Sequence, residues 1–209
     1  MQPTRRYEAG MDDPRPTVAL FAKYPRPGAV KTRLIPALGE EGAARLHRLL
    51  VERTLATIRA SGLPCVLYTS GAPLARFAAW LGDAVPLAEQ GEGDLGARLA
   101  RVPAPAILLG ADIPDLAPEH LLAAAAALAE APVAIGPAED GGYYLMALRE
   151  PLPFLFTGMD WGTASVRAET LRRLAARGMA WRELAMLADC DRPEDLALWP
   201  ELAGEAGRG

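Results

Sequence analysis

Short apolar runs alternate with longer amphipathic segments along the chain, and this pattern predicts strands that alternate with helices. The runs at 17–21 and 106–110 are uniformly apolar, which is typical of parallel strands buried on both faces. The predicted strands cover 17–21, 64–69, 85–88, 106–110, 132–136, 143–148 and 181–187. Their alternation with helices indicates a three-layer α/β sandwich whose sheet is mostly parallel.

Helical periodicity predicts the segments that connect these strands. Leucines recur at helical spacing between 39 and 60, and Gly62 is a suitable end for that helix because glycine tolerates positive φ. Further helices are predicted at 73–81, about 94–101, 118–130 and about 163–177, and 191–195 is expected to open a last one.

The length and composition predict one domain. A chain of 209 residues with 51% hydrophobic content can bury one full-sized core, which we place at 17–200. The polar arm at 1–16 is expected to be disordered, with Met11 as an alternative start to Met1. We expect 201–209 to be a frayed tail.

Charge and cysteine content exclude several classes of protein. The net charge of -4 argues against a nucleic-acid surface, although a small anionic ligand needs only a local cationic cluster. Cys65 and Cys190 lack metal-site spacing, and the N-terminal arm lacks the apolar core of a signal peptide. The longest apolar stretch, 121–129, is too short to span a bilayer. We therefore expect a cytoplasmic protein with reduced cysteines.

A basic loop follows the first strand. Its prolines forbid helix and Gly28 tolerates positive φ, and Lys23, Lys31 and Arg33 lie there with no acidic residue before Glu40. A loop of this kind at the carboxyl end of a strand suits phosphate, since an ammonium neutralises charge and a guanidinium binds two oxygens. The alternative is a solvated turn. Because the loop lies outside the predicted core, removing Lys31 or Arg33 is expected to leave the melting temperature nearly unchanged.

Carboxylates follow other strands. Asp112 comes directly after the strand at 106–110, and Asp189 and Asp191 share one face of a short extended segment. A hard divalent cation, Mg²⁺ or Mn²⁺, held between Asp112 and Asp191 could bridge to phosphates bound by the basic loop. Asp112 could instead cap a turn, and Asp191 could be the N-cap of the last helix.

Further polar residues qualify as ligand contacts. Asp140 could hold or deprotonate a hydroxyl beside two glycines that let a backbone approach a ligand, although a tight turn explains the same residues. Thr163 could equally be a cap and Trp161 a core residue. His47 and His120 are expected on helix surfaces. The candidate nucleotide contacts outside the basic loop are Gln90 and Arg98, and the candidate acceptor contacts are Gly141, Gly142, Tyr143, Trp161 and Thr163.

Five ordered blocks carry a resemblance to a known family. They are 21–34, 110–116, 136–145, 161–163 and 189–196. The chain resembles the bacterial glycosyltransferase A-type transferases associated with radical-SAM and selenodomain proteins, a family similar to nucleotide-diphospho-sugar transferases and to the nucleotidyltransferases that build cofactors. The resemblance implies a Rossmann-like nucleotide-binding fold, a metal ligand at Asp112 and further metal ligands near Asp189 and Asp191.

These observations predict a metal-dependent transferase. Its donor would be a nucleotide or nucleotide-sugar and its acceptor a small, phosphorylated molecule, with Lys31, Asp112 and Asp140 as catalytic residues. The leading reaction is nucleotidyl transfer. The alternatives are glycosyl transfer from an NDP-sugar and a catalytically silent nucleotide-binding module.

Overall fold

A single seven-stranded sheet forms the centre of the protein, in a computed structural model that describes residues 15–83 and 85–207. The strands are β1 (Thr17–Lys23), β2 (Cys65–Ser70), β3 (Leu87–Glu89), β4 (Ala106–Leu109), β5 (Val133–Pro137), β6 (Tyr143–Leu148) and β7 (Trp181–Glu183). Their order is β3-β2-β1-β4-β6-β5-β7. Only β6 runs antiparallel to its neighbours among these strands, so the predicted mostly parallel α/β sheet is confirmed.

The connections are mainly helical. The helices are α1 (Ile35–Ser61), α2 (Leu74–Leu81), α3 (Leu95–Leu99), α4 (Pro118–Glu130), α5 (Val166–Ala175) and α6 (Pro200–Gly207), with 3₁₀ turns at Thr32–Leu34, Pro153–Leu155 and Pro193–Ala197. Gly62 ends α1 in the left-handed conformation, as its position in the sequence predicts. None of the helices within 15–83 and 85–207 combines the length and hydrophobicity needed to cross a membrane.

The strands place alternate side chains in two hydrophobic layers. Val18 and Leu20 of β1 pack with residues of α1, α2 and α4 on one face of the sheet. Ala19 faces the other way and packs with residues of α3 and α5. Helices on both faces of one sheet make the three layers that the strand-helix alternation predicts.

One edge of the sheet gathers the segments of functional interest. The parallel strands β1, β4 and β5 end at this edge, and β6 begins there because it runs the opposite way. The loop at 24–31, the turn at 110–117 and the β5–β6 turn at 138–142 therefore lie side by side. The segment at 188–192 joins them through a bridge between Ala138 and Leu187.

The C-terminal segment differs from the frayed tail that the sequence predicts. Trp199, Leu202 and Ala206 lie on one face of the chain at helical spacing and pack against α1, where they contact the cluster around Leu46 and Leu50. The segment is helical because that contact buries its apolar face. Most of the predicted N-terminal arm, 1–14, and residues 208–209 lie outside the described residues.

Truncation of Leu202 tests the contact between α6 and α1. Because Leu202 is fully buried, Leu202→Ala should lower the free energy of unfolding by about 2–5 kcal/mol, measured by urea denaturation. Leu198→Ala is the matched control, since Leu198 is 60% exposed and its loss should change stability by about 0.5 kcal/mol or less. Equal stability of the two variants would show that the C-terminal helix does not contribute to the fold.

Candidate functional site

The ammonium of Lys31 lies at the centre of the carboxyl edge, surrounded by oxygen atoms. Its Nζ is 2.5 Å from Oδ1 of Asp112 and donates to the carbonyl oxygen of Cys190 at 2.6 Å. Oδ1 of Asp191 is 3.3 Å away. An ammonium has three protons, so these three oxygens satisfy its hydrogen-bonding capacity.

Backbone and side-chain contacts fix the oxygens around Lys31. The amide of Cys190 donates to the carbonyl oxygen of Asp112 at 2.9 Å, which joins the β4 turn to the segment at 188–192. The amide of Asp191 donates to Asp195 Oδ2 at 2.9 Å, and Arg33 Nη1 donates to Asp191 Oδ2 at 2.9 Å. These contacts hold the segment at 188–192 against the β4 turn and orient the carboxylate of Asp191.

Lys31 is more enclosed than its place in a loop suggests. Its side chain is 2% exposed, whereas the sequence places it in a loop outside the core. Its φ of 46° makes it the one non-glycine residue with positive φ within 15–83 and 85–207. A lysine adopts the left-handed conformation only at a cost in free energy, so its contacts with the carboxylates must stabilise it.

The ion pair perturbs both partners. Burial opposes the charged form of Lys31, but the neighbouring Asp112 and Asp191 outweigh it and raise the pKa of the ammonium above its ordinary value. Burial likewise acts to raise the pKa of Asp112, and the charge and hydrogen bond of Lys31 outweigh it and lower that pKa. Both groups are therefore ionised at neutral pH.

The three predicted metal ligands are close in space, but they do not form one assembled metal site. Across the described ranges 15–83 and 85–207, no group of three His, Cys, Asp or Glu side chains is arranged to hold a metal ion. Lys31 stands between Asp112 and Asp191. Burial raises the pKa of Asp189, and the charge of Asp140 and then of other carboxylates adds to this effect. The donor atoms nevertheless fit Mg²⁺ or Mn²⁺, since they are carboxylate and carbonyl oxygens.

A cavity of about 470 Å³ opens beside these carboxylates. Arg33, Asp112, Asp140, Asp189 and Asp191 line its polar end. Its volume falls in the range of small-molecule sites, which combine an apolar wall with a few polar groups.

Aromatic rings form another part of the cavity wall. Phe21 lines the cavity and stacks on Tyr68 with ring centroids 5.2 Å apart. Tyr143 and Trp161 also line it and contact each other edge to face. Phe21 is not among the site residues predicted from the sequence, although its position near the carboxyl end of β1, on the face opposite Leu20, is a signal for it. The wall suits a planar base or the apolar face of a sugar.

A second cavity of about 310 Å³ adjoins the first. The two share a boundary formed by Arg33, Asp140, Gly162, Thr163, Asp189 and Asp191. The second is more polar, and Glu139, Arg192 and Asp195 add further charges to its lining. Two adjoining cavities that meet at a line of carboxylates can hold two reactants next to each other.

The β5–β6 turn places Asp140 at this boundary. Asp140 Oδ1 accepts a hydrogen bond from the amide of Gly142 at 2.8 Å, so the residue also makes the tight turn that was the alternative explanation. Gly141 does not line either cavity, and a Cβ there would lie 2.4 Å from the carbonyl oxygen of Ala164. Its role in this structure is close packing, while Gly142 lines the larger cavity.

The other predicted acceptor contacts lie at the cavity wall. Trp161 stacks on Phe156 with ring centroids 6.4 Å apart and is thus partly a core residue. The hydroxyl of Thr163 donates to the carbonyl oxygen of Asp160 at 2.8 Å and lies 2.8 Å from the Ser165 hydroxyl. Both residues therefore shape the loop that borders the site.

Three predicted phosphate contacts brace the site without lining either cavity. Gln90 donates to the carbonyl oxygens of Ala22 and Tyr68, at 3.4 and 3.0 Å, and accepts from Arg98 at 3.2 Å. Lys23 donates to the carbonyl oxygen of Ala29 at 2.9 Å and remains exposed. Of the predicted phosphate-binding residues, Arg33 alone is among the residues that line the two cavities.

The prediction that His47 lies on a helix surface is wrong. His47 is buried, and its Nε2 is 2.8 Å from the carbonyl oxygen of Lys23. A carbonyl only accepts, so Nε2 carries the proton. Burial lowers the pKa of His47, which keeps it neutral at pH 7. The side chain of His47 thus holds the last residue of β1 in place through a hydrogen bond to its carbonyl oxygen.

Fold and site together define a protein of the nucleotide-diphospho-sugar transferase fold class, with a polar cleft at the carboxyl edge. The chain belongs to the bacterial family described as "Uncharacterized protein conserved in bacteria (DUF2064)", whose model matches residues 54–163. This agrees with the resemblance identified from the sequence blocks. A comparison with curated proteins finds no significant match.

Solved structures share this fold. A protein of Desulfovibrio desulfuricans G20, proposed to be a nucleotide-diphospho-sugar transferase, is 30% identical, with a TM-score of 0.81 and coverage of 88% of this chain and 87% of that one. The manganese complex of Rv0371c from Mycobacterium tuberculosis H37Rv is 21% identical, with a TM-score of 0.51 and coverage of 90% and 98%.

A third structure extends the likeness of fold. The 2-C-methyl-D-erythritol 4-phosphate cytidylyltransferase of Thermus thermophilus is 16% identical, with a TM-score of 0.51 and coverage of 91% of this chain and 99% of that one. At this identity the likeness concerns the fold alone.

Replacing Lys31 tests the ion pair as a determinant of stability. Lys31→Met should lower the free energy of unfolding at pH 7 by about 1–3 kcal/mol, less than for a fully buried pair because Asp112 is partly exposed. Arg33→Met is the control, since its exposed pair with Asp191 should contribute less than about 1 kcal/mol. Urea denaturation measures both.

The same comparison has a defined pH dependence. Because the pKa of Asp112 is lowered in the folded protein, the ion pair contributes fully to the free energy of unfolding above the ordinary carboxyl value of 3.8. The contribution is lost as pH falls through the pKa that Asp112 has in the folded protein. The raised pKa of Lys31 preserves it up to at least 10.5. The difference between wild type and Lys31→Met should therefore be constant from pH 5 to 9 and shrink below pH 3.8. A difference that grows on acidification would contradict this account.

Proposed function

We propose that the protein is a divalent-metal-dependent transferase that binds a nucleotide donor and transfers its nucleotidyl group to a small acceptor. The observation that carries the proposal is the meeting of two cavities at Asp140, Asp189 and Asp191, with Asp112 on the wall of the larger cavity. Carboxylates in this position can bind a cation that neutralises donor phosphates, and the aromatic wall can pack against a base.

Each part of the cleft has a proposed role in that reaction. The aromatic wall formed by Phe21, Tyr143 and Trp161 orients the nucleoside. Arg33 lies on the cavity wall beside Asp191, and both side chains are partly exposed. Its guanidinium can bind two phosphate oxygens. The smaller cavity takes the acceptor, where Arg192 offers a contact for an acceptor phosphate.

Asp140 is the proposed general base. It lines both cavities, so an acceptor hydroxyl at their boundary would lie within its reach. The hydrogen bond from Gly142 fixes the orientation of its carboxylate. Removing the hydroxyl proton increases the negative charge on the oxygen that attacks the donor phosphorus.

Asp112 and Asp191 are the proposed metal ligands, and Asp189 is a further candidate. A divalent cation held by these oxygens would neutralise the charge of the donor phosphates. Rv0371c of Mycobacterium tuberculosis H37Rv, a protein of the same fold, forms a manganese complex.

Glycosyl transfer from an NDP-sugar is the second candidate. A specific observation favours it, because Lys31 and Arg33 are paired with Asp112 and Asp191 and so offer little free positive charge to a triphosphate. The relative from Desulfovibrio desulfuricans G20, itself proposed to be a nucleotide-diphospho-sugar transferase, supports the same interpretation. The third candidate function is a nucleotide-binding module that catalyses no reaction.

Replacement of Asp112 tests metal-dependent binding of the donor. Titration calorimetry with Mn²⁺ and CTP or UDP-glucose should show binding to the full-length chain that excess chelator abolishes. Asp112→Asn should weaken this binding by roughly 10–100-fold, at least as much as the loss of an outer metal partner. Equal affinity in Mn²⁺ and in chelator would refute the metal dependence.

The matched control is Asp115→Asn in the same turn. Asp115 lies outside both cavities and accepts a hydrogen bond from Trp199 Nε1 at 3.0 Å, which an amide oxygen can also accept. This variant should bind the donor as wild type does. A weakening in both variants would indicate a change in the turn and not the loss of a ligand.

The products distinguish the candidate reactions. Nucleotidyl transfer should release pyrophosphate from a radiolabelled NTP incubated with a pool of phosphorylated metabolites, whereas glycosyl transfer should release an NDP from an NDP-sugar. Thin-layer chromatography of the label measures both. Tight donor binding without either product would support the binding module instead.

A further inference from the structure

The position between Asp112 and Asp191 already holds a cation, the ammonium of Lys31. Its three neighbours are two carboxylate oxygens and the carbonyl oxygen of Cys190, at 2.5, 3.3 and 2.6 Å. Hard divalent cations bind the same kinds of oxygen in proteins. The side chain of the protein thus occupies a place with the ligand chemistry of a metal site.

Two cations cannot share this position. An ammonium and a divalent ion bound to the same oxygens would repel each other at a few ångströms, and Oδ1 of Asp112, which contacts Lys31 Nζ, cannot bind a metal from the same direction. We propose that Lys31 and a divalent cation are alternative occupants of this site, so that metal binding displaces the ammonium into the cleft. The inference rests on the proposed function in that it assumes a metal bound by Asp112 and Asp191.

The backbone of Lys31 supports an exchange. Its left-handed conformation, φ 46° and ψ 42°, is unfavourable for a residue with a side chain. The contacts of the ammonium offset that cost in the observed state. Once a metal takes the oxygens, the residue loses the contacts that stabilise this conformation, and the loop after β1 is free to move Lys31 away.

Displacement would change the charge of the cleft at the moment when the donor binds. While paired, Lys31 is 2% exposed and does not line either cavity. Arg33 lies two residues away on the cavity wall. A released ammonium beside Arg33 would add a second cation for donor phosphates, which ties the positive charge of the loop to the presence of the metal.

The amino-acid composition makes this exchange directly measurable. Lys23 and Lys31 are the only lysines in the sequence. Amine acetylation of the full-length chain, followed by peptide mass spectrometry, therefore compares the acetylation rates of these two residues. Lys23 is the internal reference, since it is exposed and contacts none of the carboxylates. In chelator, Lys31 should react at least about tenfold more slowly than Lys23, because its amine is enclosed by three oxygens and is 2% exposed.

Adding Mn²⁺ without nucleotide should raise the acetylation rate of Lys31 at least about fivefold and leave that of Lys23 unchanged. The midpoint should match the Mn²⁺ affinity from calorimetry, and chelator should reverse the change. Continued protection of Lys31 at Mn²⁺ concentrations that saturate the protein would overturn the proposal.

Metal affinity of variants gives an independent test. Lys31→Met should bind Mn²⁺ at least about tenfold more tightly than wild type, because the competing cation is gone, and Mn²⁺ should restore its melting temperature. Lys23→Met removes the same charge from the other end of the loop, at the last residue of β1, and should leave the affinity within about twofold. Equal Mn²⁺ affinity in wild type and Lys31→Met would also overturn the exchange.

These readouts separate the exchange from the reaction. If Mn²⁺ relieves the protection of Lys31 from acetylation but the protein forms no product with any donor, the exchange is supported and the proposed transferase activity fails. If product forms while Lys31 stays protected from acetylation at saturating Mn²⁺, the transferase activity is supported and the exchange fails. If neither wild type nor Lys31→Met binds Mn²⁺, both the exchange and the metal dependence are refuted, whereas binding by the variant alone supports the exchange.

Discussion

A buried ammonium must be surrounded by oxygens, and this requirement organises the carboxyl edge of the protein. Lys31 meets it with Asp112, Asp191 and the carbonyl oxygen of Cys190, which come from chain segments up to 160 residues apart. Desolvating an unpaired charge is costly, so these segments are stable together and unstable apart. The ion pair therefore connects the loop after β1 to the loop after β4 and to the segment at 188–192, which are also joined to each other by the hydrogen bond from the Cys190 amide to the Asp112 carbonyl.

Local patterns in the sequence were sufficient to predict the sheet and its layers. Uniformly apolar runs identified β1 and β4, and helical spacing with a terminal glycine identified α1. The helix at the C-terminus was missed, because α6 is short and polar on its outer face and is stabilised by contact with α1. A tertiary contact of this kind has no local signature.

The candidate site was predictable to the extent that it depends on strand ends. Asp112, Asp140 and Asp191 lie at the expected edge because parallel strands end there. The directions of long side chains were not predictable, since Lys31, Gln90 and Arg98 find their partners across loops. The burial of His47 also depends on the carbonyl of Lys23, 24 residues away.

The reversed direction of β6 has a consequence for how this family can diverge. It makes the β5–β6 connection a short hairpin on the working edge, where a parallel strand would need a long crossover ending elsewhere. Gly141 anchors one end of that hairpin against Ala164 and leaves no room for a side chain. Insertions at the exposed Glu139, between the bridge at Ala138 and the turn that holds Asp140, would lengthen the hairpin over the cleft at small cost to the sheet. Homologues that serve different acceptors should therefore differ in length there and keep the glycine.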